Sequence, residues 1–309
     1  MSLKGKDYLS IHDLSVDEIH QILDLAKSLK DKQKRGEEHK LLPGKTLGMI
    51  FQKSSTRTRV SFEVGMWQLG GRALFLNAND LQIGRGEPVK DTARVLSRYV
   101  DGVMIRTFSH LEVEELAGYA SIPIINGLTD LLHPCQAMAD IFTAVEYKGD
   151  LKGRKLAYIG DGNNMVNSLL HVCAKVGMDI SAATPPNYAP DAAIVEEAIA
   201  DAAASGSKIN IVNDPFAAAE GADVLYTDVW ASMGREAEQA IRKQAFAGFQ
   251  INSAIVRTAK PDCIVMHCLP AHRGEEITDD VMEGPHSVVF DEAENRLHVQ
   301  KAIMALLMG

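Results

Sequence analysis

The sequence predicts an α/β protein made of two doubly wound parallel-sheet domains. Short apolar runs alternate with helix-period stretches along most of the chain, which implies parallel sheets with helices on both faces. At 309 residues the chain has room for two domains. A polar, glycine-bearing joint, Tyr147-Lys148-Gly149-Asp150-Leu151-Lys152-Gly153, separates a helix from a strand near the middle.

The first element is a helix over 15–35, with Ser15 as N-cap and Ile19, Ile22, Leu23 and Ala26 as its apolar stripe. Strands are expected at 45–51, 72–77, 101–106 and 121–126 in the first half. The second half offers strands at 154–160, 178–184, 208–212, 222–227, 262–268 and 287–291. An amphipathic helix is expected over 60–69, with Val60, Val64 and Trp67 on one stripe. Further helices are expected at 89–99, 134–147, 164–176, 190–204 and 235–247, and a terminal one carries Ile303, Leu306 and Leu307.

Hydrophobic residues are 46% and charged residues 24%, ordinary for a globular protein. The net charge of −9 argues against nucleic acid or an anionic membrane as the partner, so any anionic ligand must be collected by local cations. Cys135, Cys173, Cys263 and Cys268 form no Cys-x-x-Cys pair and read as reduced cytosolic thiols. The opening Met1–Asp7 is charged from Lys4 and has no apolar signal core. No run approaches the roughly 18 apolar residues of a membrane span. A cytoplasmic location is expected.

Ligands of open α/β sheets bind beyond the carboxyl ends of the strands, and the unusual clusters fall there. Ser55-Thr56-Arg57-Thr58-Arg59 follows the first strand and opens a helix. Free backbone N–H groups, the positive helix end and arginines converge at such a place on an anion, here read as a phosphate. The plainer alternative is a capped helix start with surface arginines. Arg106 ends a strand, either as a third cation or as a salt-bridge partner. In His133-Pro134-Cys135-Gln136 the proline suits the first helical position. His133 then lies just outside the helix, and the Gln136 amide can both donate and accept; a helix-capping histidine is the alternative.

Gly160-Asp161-Gly162-Asn163-Asn164 opens like a dinucleotide-binding turn, but Met165 stands where a third Gly or Ala is expected. It is read as a strand-to-helix turn that directs Asn164, Asn167 and Ser168 into a cleft. Asp228 and Ser232, with Met233 and Gly234, suit an amino-acid-like cation, unless Asp228 only caps a helix. His267-Cys268-Leu269-Pro270 puts a thiol at a strand end. Strand alternation separates Cys263 and His267 from Cys268, and no second Cys/His pair has zinc spacing. No metal and no cofactor are expected, and no triad supports a cysteine nucleophile. The clusters together fit one cleft between two α/β domains.

Over essentially its whole length the chain resembles the aspartate/ornithine carbamoyltransferase family. Ser-Thr-Arg-Thr-Arg at 55–59 and His-Pro-Cys-Gln at 133–136 match the family's carbamoyl-phosphate signatures. His-Cys-Leu-Pro at 267–270 and Asp-x-Trp-x-Ser-Met-Gly at 228–234 resemble its ornithine-using branch. The resemblance implies a carbamoyl-phosphate-binding domain over 1–147, with a C-terminal helix of about 292–309 packing back onto it, and an ornithine-binding domain over 148–291.

It further implies that Ser55, Thr56, Arg57 and Thr58 hold the phosphate, completed by Arg296 and by Gln82 reaching into an adjacent subunit of a trimer or multiple of trimers. Arg106, His133 and Gln136 would hold the carbamoyl end, and Cys268 and Leu269 would contact the reacting group. Asn164, Asp228, Ser232 and Met233 would contact ornithine. The implied catalytic set is Arg57, Arg106, His133, Asp228 and Cys268. Gln52-Lys53-Ser54 departs slightly from the common start of the first motif, outside the ligand positions. Alternatives are another acceptor amine such as putrescine or an acylated ornithine, a nicotinamide-dependent oxidoreductase, and a binding protein that kept the fold without the chemistry.

Overall fold

The computed structural model describes residues 3–231 and 238–309. The chain divides into two compact units, Met1–Met138 with Glu294–Gly309, and Ala139–Ala293.

The first unit opens with α1 (Val16–Lys34), whose Ser15 and Glu18 form a reciprocal capping box. Ile19, Ile22, Leu23 and Ala26 are buried, as their spacing predicts. Then come β1 (Thr46–Phe51), α2 (Thr56–Gln68), β2 (Arg72–Asn77), α3 (Val89–Leu96), β3 (Gly102–Arg106), α4 (His110–Tyr119) and β4 (Ile124–Leu128). The strands form a parallel sheet of order β2-β1-β3-β4. Ile50, Val103, Ile105, Val113 and Leu116 lie in one apolar cluster between this sheet and its helices. The expected stripe of α2 is corrected. Phe62, Gly65 and Met66 face inward, while Val60 is 50% and Trp67 76% exposed.

α5 (Pro134–Lys148) carries the chain into the second unit, which continues with β5 (Lys155–Ile159), α6 (Asn164–Val176), β6 (Asp179–Ala183), α7 (Ala192–Ser205), β7 (Ile209–Val212), α8 (Pro215–Ala219) and β8 (Val224–Thr227). α9 (Gln239–Ala245), α10 (Ser253–Thr258), β9 (Ile264–His267), α11 (Asp279–Met282) and α12 (Val289–Met308) complete the described elements. The second sheet is also parallel, in the order β7-β6-β5-β8-β9. Its core includes Ile159, Leu225, Trp230, Phe246 and Val265.

The strand expected at 287–291 is helical from Val289. A single parallel bridge joins Ser287 to Val265, and the Val288 N–H donates to the Val265 carbonyl at 3.0 Å. Asp291 and Glu292 then lie in the first turn of α12, where carboxylates favour the positive helix end. This also moves the start of the terminal helix ahead of the expected position near 292.

Lys301 on α12 is fully buried within the first unit. Its Nζ donates to Gln33 Oε1 at 2.7 Å, Gln68 Oε1 at 2.9 Å and His39 Nε2 at 3.1 Å. His39 Nδ1 lies 2.9 Å from the Glu37 carbonyl, which assigns the proton to Nδ1 and leaves Nε2 to accept. The ammonium thus has three neutral acceptors and no carboxylate among these contacts, and burial lowers it to about 8. The unfolded chain keeps that proton up to the ordinary lysine range, so between about 8 and 10.4 the unfolded state binds more protons and stability rises with pH. Urea midpoints from pH 7 to 10 are expected to rise in the natural chain relative to Lys301→Met. Parallel curves would refute the assignment.

Candidate active site

Both units follow the switch-point rule. In the first sheet the order reverses between β1 and β3, and in the second between β5 and β8. The clusters that the sequence singles out follow the carboxyl ends of those strands and of their neighbours β4 and β9.

In the first unit, Ser55 caps α2, its Oγ accepting from the Thr58 N–H at 3.2 Å. That leaves the first-turn N–H groups of Thr56 and Arg57 directed away from the helix, as anion donors. Thr58 is buried, and its hydroxyl lies 3.1 Å from Ser55 Oγ. Arg296 on α12 joins the cluster, donating to Thr58 Oγ1 at 3.3 Å and to Gln136 Oε1 at 2.5 Å. Arg106 is buried at the end of β3, where the pairing with β4 shifts register. Arg59 is not part of the set: its guanidinium lies 3.7 Å from the Phe75 ring centroid and pairs with Glu63 at 3.0 Å.

Pro134 opens α5, and the His133 carbonyl accepts from the Gln136 and Ala137 N–H groups at 3.1 and 3.2 Å. Burial, with the nearby Arg296, Arg106 and Arg57 cations, holds the His133 imidazolium well below the usual range. The ring is therefore neutral at physiological pH and donates a single N–H. Burial pushes the neighbouring Cys135 thiol up to about 12, which leaves it inert. The structure thus brings Ser55, Arg57, Thr58, Arg106, His133, Gln136 and Arg296 into one electropositive cluster, with Thr56 exposed at its edge. Gln82 is exposed at the head of a short turn over 83–85.

In the second unit, Asp228 follows β8 and is 7% exposed. Its Oδ1 accepts from the Val229 N–H at 2.8 Å and from the Cys268 thiol at 3.0 Å. Its Oδ2 accepts from Asn163 Nδ2 at 2.8 Å. Burial and the adjacent Asp228 carboxylate push the Cys268 thiol well up, so it is a protonated donor and not a thiolate nucleophile. Asn164 is the first residue of α6, half-buried beside this carboxylate's partner. Asn167 and Ser168 are buried, with bonds to the Asp191 N–H and the Asn164 carbonyl. Ser232 and Met233 lie outside the described residues.

Three supporting roles escaped the sequence reading. Asn163 is the N-cap of α6, and its position before an apolar run was the available signal. His267 is wholly buried: its Nδ1 accepts from the Leu269 N–H at 2.9 Å, so Nε2 donates to Glu276 at 3.1 Å. This bond supports Leu269 at φ +59, a conformation that costs a branched residue about 1 kcal/mol or more. Glu292 accepts from the His267 N–H at 2.9 Å and is pushed well up by burial and by Asp140.

Asp228, His267 and Cys268 offer donor atoms within 4.8 Å of one another. Both His267 nitrogens are already engaged in hydrogen bonds, so the imidazole has no lone pair for a metal. The partial dinucleotide turn is also accounted for. A Cβ on Gly162 would lie 2.2 Å from the Ala189 carbonyl carbon, so the chain's own backbone fills the approach that a pyrophosphate needs.

The aspartate/ornithine carbamoyltransferase carbamoyl-P binding domain matches residues 6–146, and that family's Asp/Orn binding domain matches residues 152–307. A curated relative from Syntrophotalea carbinolica, an ornithine carbamoyltransferase, is 60% identical over 98% of this chain and 99% of its own. An anabolic ornithine carbamoyltransferase from Pyrococcus furiosus is 57% identical over 100% of this chain and 98% of its own. A solved structure of ornithine carbamoyltransferase from the same organism has a TM-score of 0.97 at 57% identity, covering 100% of this chain and 99% of that one. Another, the anabolic enzyme of Campylobacter jejuni, has a TM-score of 0.91 at 45% identity, covering 97% of each chain. No helix among the described residues is long and apolar enough to cross a membrane.

Proposed function

The chain belongs to the aspartate/ornithine carbamoyltransferase family, and from that premise we propose that it transfers the carbamoyl group of carbamoyl phosphate to the δ-amine of L-ornithine, giving L-citrulline and phosphate. One observation carries the residue assignment. The first unit has a cation-rich anion site at its switch point, and the second has a hydrogen-bonded carboxylate at its own.

Ser55, Thr56, Arg57 and Thr58 hold the phosphate with Arg296, and Gln82 comes from an adjacent subunit. Arg106, His133 and Gln136 hold the carbamoyl end. Asn164, Asp228, Ser232 and Met233 hold ornithine, and Cys268 and Leu269 contact the reacting carbamoyl group. Residues 1–147 with the C-terminal helix make the carbamoyl-phosphate domain, and 148–291 the ornithine domain.

The amine nitrogen attacks the carbonyl carbon, the bond to the phosphate oxygen breaks, and the proton lost by nitrogen leaves with the phosphate. As the carbonyl oxygen gains charge, Thr58, Arg106 and neutral His133 donate to it. Arg57, Arg106 and Arg296 stabilise the departing phosphate. The attacking amine must be the free base, although its ordinary pKa is near that of lysine, about 10.4. Asp228 orients it through accepted hydrogen bonds, and the Cys268 proton stays on sulfur. Holding both substrates in attack geometry supplies much of the acceleration.

The chain forms a homotrimer or a multiple of trimers. Val60 and Trp67 on α2, with Leu74 and Phe75 on edge strand β2, are exposed apolar groups that a second copy would cover. The free thiols at Cys135, Cys173, Cys263 and Cys268 support a reducing cytoplasm. The anabolic relatives support a biosynthetic role. The test is citrulline formation from carbamoyl phosphate with ornithine, run beside putrescine, N-acetylornithine and aspartate. Turnover with ornithine alone is expected. Turnover with another amine only would overturn the acceptor assignment, and none with any would overturn the reaction.

A further inference from the structure

We propose that Asn163 is a positioning residue that fixes the plane of the Asp228 carboxylate; its kinetic consequence rests on the ornithine reading above. Asn163 stands at the N-cap of α6, where its Oδ1 accepts from the Met165 N–H at 2.9 Å and the Val166 N–H at 3.4 Å. Two backbone donors therefore settle which amide atom is oxygen. The Tyr158 hydroxyl lies 3.3 Å from the same oxygen, but its proton goes to the Asp161 carbonyl at 2.7 Å, so the two backbone donors carry the assignment. Nδ2 is then the only end left to face Asp228, and it donates to Oδ2 at 2.8 Å.

The opposite carboxylate oxygen is held by the Val229 N–H and the Cys268 thiol. Asp228 is thus gripped from the α6 cap, from its own following peptide and from the turn after β9. Among the described residues the Asn163 bond is the one on Oδ2, and it resists rotation about the carboxyl carbon. A carboxylate that must accept a hydrogen bond from an incoming amine gains from such fixing, because the orienting entropy is lost before the substrate arrives. Serine or aspartate could cap α6 as well as asparagine does. Only asparagine supplies both the capping oxygen and a donor toward Asp228.

That difference separates the two roles. Asn163→Ser keeps a capping oxygen and removes the donor. Asn163→Asp keeps the cap and sets a second carboxylate against Asp228. Asn163→Ser is expected to keep the thermal midpoint, Asn163→Asp to lower it through the buried carboxylate pair, and both to keep the affinity for inorganic phosphate. Asn163→Ser should lose roughly tenfold or more in kcat/KM for ornithine, a loss of about 1.4 kcal/mol in transition-state stabilisation. Asn163→Asp should lose more, with the acid limb of its pH profile displaced upward, because paired carboxylates cannot both ionise freely.

Cys268 gives a readout that needs no substrate, since it is the cysteine residue that is not fully buried. Releasing Asp228 weakens its bond to the thiol, so iodoacetamide should alkylate Cys268 several-fold faster in Asn163→Ser than in the natural chain. Unchanged alkylation in a folded variant overturns the positioning role, whatever the substrate. Altered alkylation without citrulline formation by the natural chain overturns the ornithine reading and leaves the positioning role standing. Normal ornithine kinetics, or losses that track the thermal midpoint with no change in pH profile, overturn its kinetic consequence.

Discussion

Arg57→Gly is expected to abolish citrulline formation, lowering kcat/KM by at least about 10³-fold. The size follows from what the guanidinium does. It lies in the first turn of α2, where helix-end N–H groups and the Arg106 and Arg296 cations already converge. The departing phosphate gains charge as the carbamoyl bond breaks, so a cation there acts more strongly in the transition state than on bound substrate. Removing one preorganised donor at such a site costs about 10²–10³, and an arginine on a transferring phosphoryl group can be worth 10³–10⁵. The fold should survive. Ser55 still caps the helix, and glycine in a helix costs only about 1 kcal/mol. Arg57→Lys should restore little, because a point charge does not reproduce bidentate binding. Steady-state assays, with inorganic phosphate titrated by calorimetry, provide the check. Near-normal turnover in folded Arg57→Gly would sink the phosphate assignment.

The places where polar groups gather were legible because α/β sheets leave their strand ends free, and the polar clusters mark those ends. Arg106, Asp228 and Cys268 end or directly follow an apolar run, and Ser55 and His133 lie four and five residues beyond one. Sheet order was not legible. The rule that makes the β1/β3 and β5/β8 ends special depends on β3 and β8 crossing to the far side of β1 and β5, and local pattern carries no record of that. The α2 stripe failed for a related reason. Val60 and Trp67 have helical spacing, but Gly65 turns the inward face toward α12, where a Cβ would meet Met304 at 3.0 Å and Lys301 at 3.2 Å.

Asn163 and Asn164 show the limit within a single turn. The resemblance read from the sequence points to the second asparagine. The first is the one that bonds Asp228, through a cap geometry that residue spacing alone does not specify. The 287–291 segment was apolar enough to pass for a strand. The single Val265 bridge does bring it beside the sheet, but pairing stops where the acidic first turn of α12 begins.

Asp228→Ala should damage ornithine use by at least about 10²-fold in kcat/KM while leaving carbamoyl-phosphate binding close to normal. The carboxylate is an acceptor for three donors, and deleting it leaves Asn163 Nδ2, the Val229 N–H and the Cys268 thiol without that partner. An unsatisfied buried donor costs about 1–3 kcal/mol, so some loss of stability is also expected. Asp228→Asn separates that loss from the chemistry. Its amide nearly matches the carboxylate in volume and keeps one acceptor oxygen, but it lacks the charge that suits an amine and turns an NH₂ toward one of the existing donors. Near-normal stability with impaired ornithine turnover in Asp228→Asn would therefore assign the effect to charge and orientation. The anion cluster belongs to the first unit and contains none of the bonds removed, so carbamoyl-phosphate titration should give the natural affinity in both variants. Equal loss of both ligands would mean general misfolding or a wrong role for Asp228. Unimpaired ornithine turnover in Asp228→Ala would move the acceptor site away from the end of β8.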